Sequence, residues 1–165
     1  MIVSHSTRNR LLERVRTLFG GVPCRVQVAA LPWRLSERGV EIMLITSRGS
    51  GRWVLPKGWP ERAEELPDAA AREAAEEAGL SGAIARQKVG CFYYGKQAAN
   101  GAEWRCEVHV FPLEVDGVAE KWPERKHRRR KWFSVEEAAS SVAERDLGEL
   151  IAAFGVNPRR TPVAA

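Results

Sequence analysis

Residues 58–80 read GWPERAEELPDAAAREAAEEAGL, and this stretch decides the fold. Three of its carboxylates, Glu73, Glu76 and Glu77, have the spacing of a helix. At about 100° per residue they fall within one narrow stripe. Like charges three or four positions apart repel. Glu76 and Glu77 also sit near the helix C-terminus, the end whose dipole disfavours anions. A local rule broken this way calls for a compensating cation, and hard oxygen ligands suit Mg²⁺ or Mn²⁺.

The rest of the stretch agrees on a helix. Ala71, Ala74, Ala75 and Ala78 project away from the acidic stripe and are small enough to pack closely on a sheet. Pro67 fits the first turn, where its missing N–H costs nothing. Arg72 follows Asp68 by four residues and precedes Glu76 by four, so it can pair along the surface. Gly79 supplies a left-handed stop.

Gly58, Glu64, Arg72, Glu73, Glu76, Glu77 and Gly79, with the small or aliphatic Ala74 and Leu80, match the Nudix box at every position. Seven fixed identities arise by chance at roughly 10⁻⁵ over a chain of this length. The chain therefore resembles the Nudix hydrolases. The resemblance implies an α+β fold, an α/β/α sandwich with a mixed β-sheet and the catalytic helix following a loop. It also implies hydrolysis of a diphosphate linked to another moiety, dependent on Mg²⁺ or Mn²⁺. By the same resemblance, Glu73, Glu76 and Glu77 are metal ligands, with the Gly58 carbonyl as a further one. Arg72 orients a ligand carboxylate, and Glu64 supports the loop. The bound cations would bridge stripe and substrate, lower the pKa of a water and stabilise the leaving phosphate. Lys57 can reach a phosphate oxygen from the loop, and Trp59 can stack on a nucleobase or cover that loop. No general base is assigned. Glu120 and Glu124 are candidates, although surface carboxylates are commonplace.

A second informative stretch is KWPERKHRRRK, residues 121–131, where Arg125 to Lys131 form an unbroken basic run. It contributes to the net charge of +5 and a pI near 9.4. Such a run is either a solvated loop or a phosphate clamp built from Arg125, Lys126, Arg128, Arg129 and Arg130. Trp122-Pro123-Glu124, the run, and then Trp132-Phe133-Ser134-Val135-Glu136-Glu137-Ala138 resemble the corresponding stretch of diphosphoinositol polyphosphate phosphohydrolases, which also cleave diadenosine polyphosphates. Pro56-Lys57-Gly58 is closer to the loop of diadenosine polyphosphate hydrolases. The partner these resemblances imply is a small polyanionic phosphorylated substrate. Two other readings stay open: an ADP-ribose or nucleotide-sugar diphosphatase, and a non-catalytic nucleotide or RNA sensor on the same fold.

The 165 residues, 44% hydrophobic and 28% charged, suit one globular domain. Residues 1–22 read as a basic amphipathic extension, a short helix lying on the domain with Leu11, Leu12, Val15, Leu18 and Phe19 at helical spacing; a targeting or membrane-surface role is the lesser reading. Residues 23–156 read as the catalytic domain and residues 157–165 as a tail. Cys24, Cys91 and Cys106 form no framework and read as reduced thiols, which places the protein in the cytoplasm. No apolar run approaches the ~18 residues of a bilayer span, so no membrane partner is expected. Nor is a nucleic-acid partner, since no recognition module accompanies the charges. Monomer and homodimer remain open.

Strands are expected at Arg25–Arg34, Val40–Ser47, Trp53–Leu55, Ile84–Tyr94, Glu103–Val115 and Trp132–Phe133, with a turn at Asn100-Gly101. Ser134 caps a helix with Glu137 three residues on. A final helix covers about Arg145 to Phe154.

Overall fold

The computed structural model describes residues 5–97, 101 and 103–158. In chain order the elements are α1 (His5–Leu18), β1 (Arg25–Ser36), β2 (Gly39–Thr46), β3 (Trp53–Val54), β4 (Lys57–Gly58), α2 (Leu66–Ala78), β5 (Leu80–Ile84), β6 (Gly90–Gln97), β7 (Glu103–Val118), β8 (Arg130–Ser134), α3 (Val135–Ser141) and α4 (Arg145–Val156).

All eight strands join one mixed sheet. Its spine runs β3-β2-β1-β7-β5, while β4, β6 and β8 pair with β1, β7 and β2 respectively. β1 and β7 run parallel, and the other pairings are antiparallel. Alternation along the central strands sends side chains to two cores. Ala29, Leu31, Trp33, Ile42 and Leu44 face one core, which α3 and α4 close with Ala138, Leu147, Ile151 and Phe154. Val28, Ala30, Met43 and Ile45 face the other, which α2 closes with Ala69, Ala70, Ala74 and Ala78. The result is the expected α/β/α sandwich.

Two prolines mark where a central strand changes partner. β1 pairs with β4 at Val28 and Ala29 and with β2 from Trp33 onward; Pro32 lies between. β7 pairs with β6 up to Val110 and with β5 from Leu113; Pro112 lies between. A residue without an N–H is tolerated inside a sheet where no ladder bond is required of it.

The strand expected at Ile84–Tyr94 is corrected: only its second half, from Gly90, is strand β6, while Ile84 is the last residue of a separate strand, β5, that begins at Leu80. Each pairs with a different part of the 16-residue β7. The polar Arg86-Gln87-Lys88 segment between them forms no ladder. Lys57-Gly58, read as loop, forms the short β4 against β1. Asn100 of the expected turn lies outside the described residues, as do residues 159–165 of the tail. The Ser134–Glu137 capping box is present, and α4 runs two residues beyond Phe154.

On α2, Ala74 and Ala78 are buried, but Ala75 is exposed and Ala71 half-buried. Ala69 and Ala70 complete the packed face instead. Among the expected pairs along the helix, Arg72 does reach Glu76 at 3.5 Å, whereas Asp68 turns to Arg86 on the loop after β5. Gly79 ends the helix at φ 65°, ψ 38°, as expected. It is also needed for space, since a Cβ there would lie 2.8 Å from Trp122 Cβ.

Candidate active site

β4 brings Lys57 and Gly58 against the acidic side of α2. The Lys57 backbone N–H donates to Glu77 Oε2 at 3.0 Å. A Cβ on Gly58 would fall 2.2 Å from Glu73 Cδ, so only glycine leaves room for that carboxylate. Glu73 and Glu77 are buried at 9% and 8% exposure, while Glu76, third of the stripe, is exposed. Burial raises the Glu73 carboxyl above its ordinary range against the pull of Arg72. Burial likewise raises Glu77, opposed by the Lys57 N–H and then Arg128. Two hard oxygen donors forced into a half-dry cradle fit a divalent cation.

Arg72 organises the preceding loop. Its Nε and one terminal nitrogen hold both oxygens of Glu64 at 3.0 Å, the other terminal nitrogen holds Glu73 Oε1 at 2.9 Å, and a contact at 3.1 Å reaches the Trp59 carbonyl. Glu64 in turn accepts the Glu61 N–H at 2.9 Å. Ala63 completes this tight loop in the left-handed region at φ 65°, a costly conformation for a residue with a Cβ.

Lys57 is half-buried rather than a free loop lysine. Its ammonium lies 5.1 Å from the Tyr94 ring centroid, and burial lowers its pKa. Trp59 lines the cleft beside it, with the Lys96 ammonium 5.3 Å from its ring centroid. The cleft measures about 350 Å³ and is lined by Lys57, Trp59, Arg72, Glu73, Glu77 and Arg128 together with Gln27, Gly58, Glu61 and Lys96.

The basic run does not gather into one clamp. Arg128 alone among its residues lines this cleft. Its guanidinium pairs with Glu77 Oε1 and Glu124 Oε2 and reaches the Thr46 carbonyl at 3.1 Å. Arg130 bonds the carbonyls of Ala78 and Ala119 and stacks 3.9 Å from the Trp122 ring centroid. Trp122 Nε1 donates to the Glu77 carbonyl at 3.2 Å, and the Glu124 N–H donates to the Glu76 carbonyl at 3.2 Å. Residues 122–130 thus cap the C-terminus of α2, where a cation and N–H donors satisfy orphan carbonyls. Arg129 binds Thr46 through its backbone, and its side chain, like those of Arg125 and Lys126, is exposed. Glu124 is held by Arg48 and Arg128, which pull its carboxyl below the usual range despite burial; Glu120 is exposed.

Sequence reasoning missed three lining residues. Gln27 is a buried polar side chain within an apolar strand, bonded to the Tyr94 hydroxyl, and that interruption was a readable signal. Lys96 and Glu61 carried none. Lys96 reaches the cleft only through the β6–β7 register.

Cys91, Glu107 and His109 also lie together on β6 and β7. Their chemistry is that of an internal polar cluster. The Lys88 ammonium sits 3.4 Å from His109 Nδ1 while Nε2 faces Glu107 Oε1 at 3.1 Å, so both ring nitrogens are engaged.

A fold of this architecture, with a loop–helix carrying this acidic cradle, defines a class. The NUDIX domain family model matches residues 25–154, and the chain belongs to the Nudix family. Nudix hydrolases generally use divalent metal ions. The chain is 34% identical over 134 residues to the chloroplastic Nudix hydrolase 21 of Arabidopsis thaliana, covering 79% of this chain and 66% of that one. It is 36% identical over 106 residues to diphosphoinositol polyphosphate phosphohydrolase 3-alpha of Mus musculus, covering 62% of this chain and 60% of that one. The chain thus spans about two thirds of the length of these relatives, or less. Among solved structures, the Ap4A hydrolase of C. elegans superposes with a TM-score of 0.59 at 20% identity, covering 81% of this chain and 97% of that one. No helix among the described residues is long and apolar enough to cross a membrane.

Proposed function

We propose that this chain is a divalent-metal-dependent Nudix pyrophosphohydrolase. It would cleave a diphosphate linkage in a polyphosphorylated metabolite of the diadenosine polyphosphate or diphosphoinositol polyphosphate type. Residues 23–156 form the catalytic unit in this reading, with 1–22 as an appended extension and 157–165 as a tail. The observation that carries it is the pairing of two buried carboxylates, Glu73 and Glu77, with the Gly58 backbone at the edge of a cleft ringed by cations. Relatives named as hydrolases, one of them for diphosphoinositol polyphosphates, support the choice of chemistry.

Glu73, Glu76 and Glu77, with the Gly58 carbonyl, would hold Mg²⁺ or Mn²⁺. When bound, the ion supplies Lewis acidity and charge neutralisation for attack of water on phosphorus. The chain's own residues do the remainder. Arg72 fixes Glu73 while tying down the loop through Glu64. Lys57, Lys96 and Arg128 set positive charge along the cleft, where phosphate oxygens are most strongly attracted as water is excluded. Trp59 offers an aromatic face at the rim for a base or sugar. Arg125, Lys126, Arg129 and Arg130 would contribute long-range attraction for an anion, and Arg128, which lines the cleft, would be the residue of the run that touches it.

The test is phosphate release by wild type and Glu77→Gln in Mg²⁺, on diadenosine tetra- and pentaphosphate, a diphosphoinositol phosphate, ADP-ribose and 5′-triphosphorylated RNA. Metal-dependent turnover, lost in a variant that still melts cooperatively, is the expected result. Glu124 remains to pair Arg128 in that variant, so folding should survive. Absence of turnover on every compound, with tight binding of one, would replace the enzyme by a sensor.

A further inference from the structure

Helix α1 is turned the opposite way from an ordinary surface helix. Its domain-facing stripe is polar. Asn9 Nδ2 donates to Asp146 Oδ2 at 3.0 Å, Arg105 Nε donates to Glu13 Oε1 at 2.9 Å, and the His5 backbone N–H reaches Glu149 Oε2 at 3.0 Å. The apolar stripe faces outward: Leu11, Leu12, Val15 and Leu18 of the helix are 63%, 57%, 42% and 84% exposed, and Phe19, just past its end, is 87% exposed. At about 100° per residue the four helical positions span roughly 120°. Amphipathic helices on globular domains bury such a face. Scattered exposed leucines are ordinary, but a continuous apolar patch marks a surface that meets something.

The charges around the patch indicate what it meets. Arg8, Arg10 and Arg14 are exposed on the same helix. Its one acid, Glu13, is taken up by Arg16 at 2.8 Å and by Arg105, leaving no carboxylate on α1 to balance the other arginines. An apolar stripe bordered by uncompensated arginines is complementary to a surface that is apolar below and anionic above. A second copy of the chain fits less well. It would bring two arginine rims together, and this stripe falls far short of the ~20–30 residues a side of a stable interface.

We infer that α1 is an interfacial helix, docked to the domain by its polar face and seating the protein on an anionic lipid surface by its apolar one. This takes up the lesser of the two sequence readings of residues 1–22 and departs from the expectation of no membrane partner. It is independent of the catalytic reading, because α1 lies outside residues 25–154 and contributes nothing to the cleft.

The experiment is co-sedimentation of the full chain with vesicles of phosphatidylcholine alone and of three parts phosphatidylcholine to one part phosphatidylglycerol, across a salt series. Binding to the anionic vesicles that weakens with salt is expected. Leu18→Asp with Phe19→Asp should lower partitioning about tenfold or more. Arg10→Ala and Arg14→Ala should each lower it about fivefold on anionic vesicles and hardly at all on neutral ones. All these side chains are exposed, so the melting temperature and any hydrolysis of soluble substrate should be unchanged. Equal sedimentation with and without anionic lipid would overturn the inference. So would absence of vesicle binding together with self-association, read by analytical ultracentrifugation, that the Leu18→Asp/Phe19→Asp variant abolishes; that result would make the patch a dimer seam.

Discussion

The carboxylate of Glu73 rests on Gly58: a Cβ at that glycine would lie 2.2 Å from both Glu73 Cδ and Oε1. The strand cannot retreat, because Gly58 is paired to Val28 of β1, and Lys57 beside it is paired to Ala29. Gly58→Ala must therefore push the carboxylate aside. A catalytic group displaced by about 1 Å can lose roughly 100-fold in rate. The expected result is a loss of that order in kcat/KM, a weaker stabilisation by Mg²⁺ in thermal melts, and an intact circular dichroism spectrum. Full activity would show that Glu73 holds no metal.

Arg128 bridges two segments far apart in sequence, binding Glu77 on α2 and Glu124 four residues before it. All three side chains are largely shielded, at 10%, 10% and 18% exposure. Removing one partner of a shielded pair leaves the other charges uncompensated, at a cost on the order of 3 kcal/mol. Arg128→Ala should therefore lower the melting temperature in the presence of a chelator. Mg²⁺ should restore more stability to this variant than to wild type, since the cation replaces the lost positive charge beside Glu77. Identical Mg²⁺ shifts in the two proteins would separate Glu77 from the metal.

The contrast between α2 and the basic run explains what the sequence could disclose. Every signal for α2 is local: proline in the first turn, alanines at helical spacing, glycine at the stop. The acidic stripe was legible because it violates local rules. What compensates it was not. Arg130 and Trp122 reach the end of α2 from over forty positions away, and nothing in KHRRRK distinguishes the arginine that enters the cleft from those left in solvent. Lys96 was hidden for the same reason, since its place depends on hairpin register. The start of β5 at Leu80 and its break from β6 were not legible, because both are set by pairing with different parts of the long β7. The orientation of α1 was equally out of reach, since an amphipathic pattern does not say which face docks.

Arg72 grips Glu64 through a two-pronged contact, each prong at 3.0 Å, while touching Glu73 and the Trp59 carbonyl. A lysine carries the charge but cannot span these acceptors. Arg72→Lys is expected to slow turnover by at least about tenfold, with the loop at residues 59–64 exchanging its amides faster while α2 stays protected. Unchanged exchange at Glu61, whose N–H is held by Glu64, would mean the loop does not depend on Arg72.

His109 gives a pH dependence of definite sign. Burial pushes its pKa below the ordinary 6.5, the Lys88 ammonium pushes further in the same direction, and Glu107 pulls back. The unfolded chain therefore binds the proton more readily than the folded one. The stability from neutral His109 is fully present above about 6.5 and is lost as pH falls from there toward the depressed folded value, at up to about 1.4 kcal/mol per pKa unit. Thermal melts should fall through this window, and His109→Gln should flatten the profile there. Lys88→Met should raise the His109 pKa by removing the like charge. Nuclear magnetic resonance titration of the ring protons reads that pKa directly, and a wild-type value at or above 6.5 would refute the burial argument.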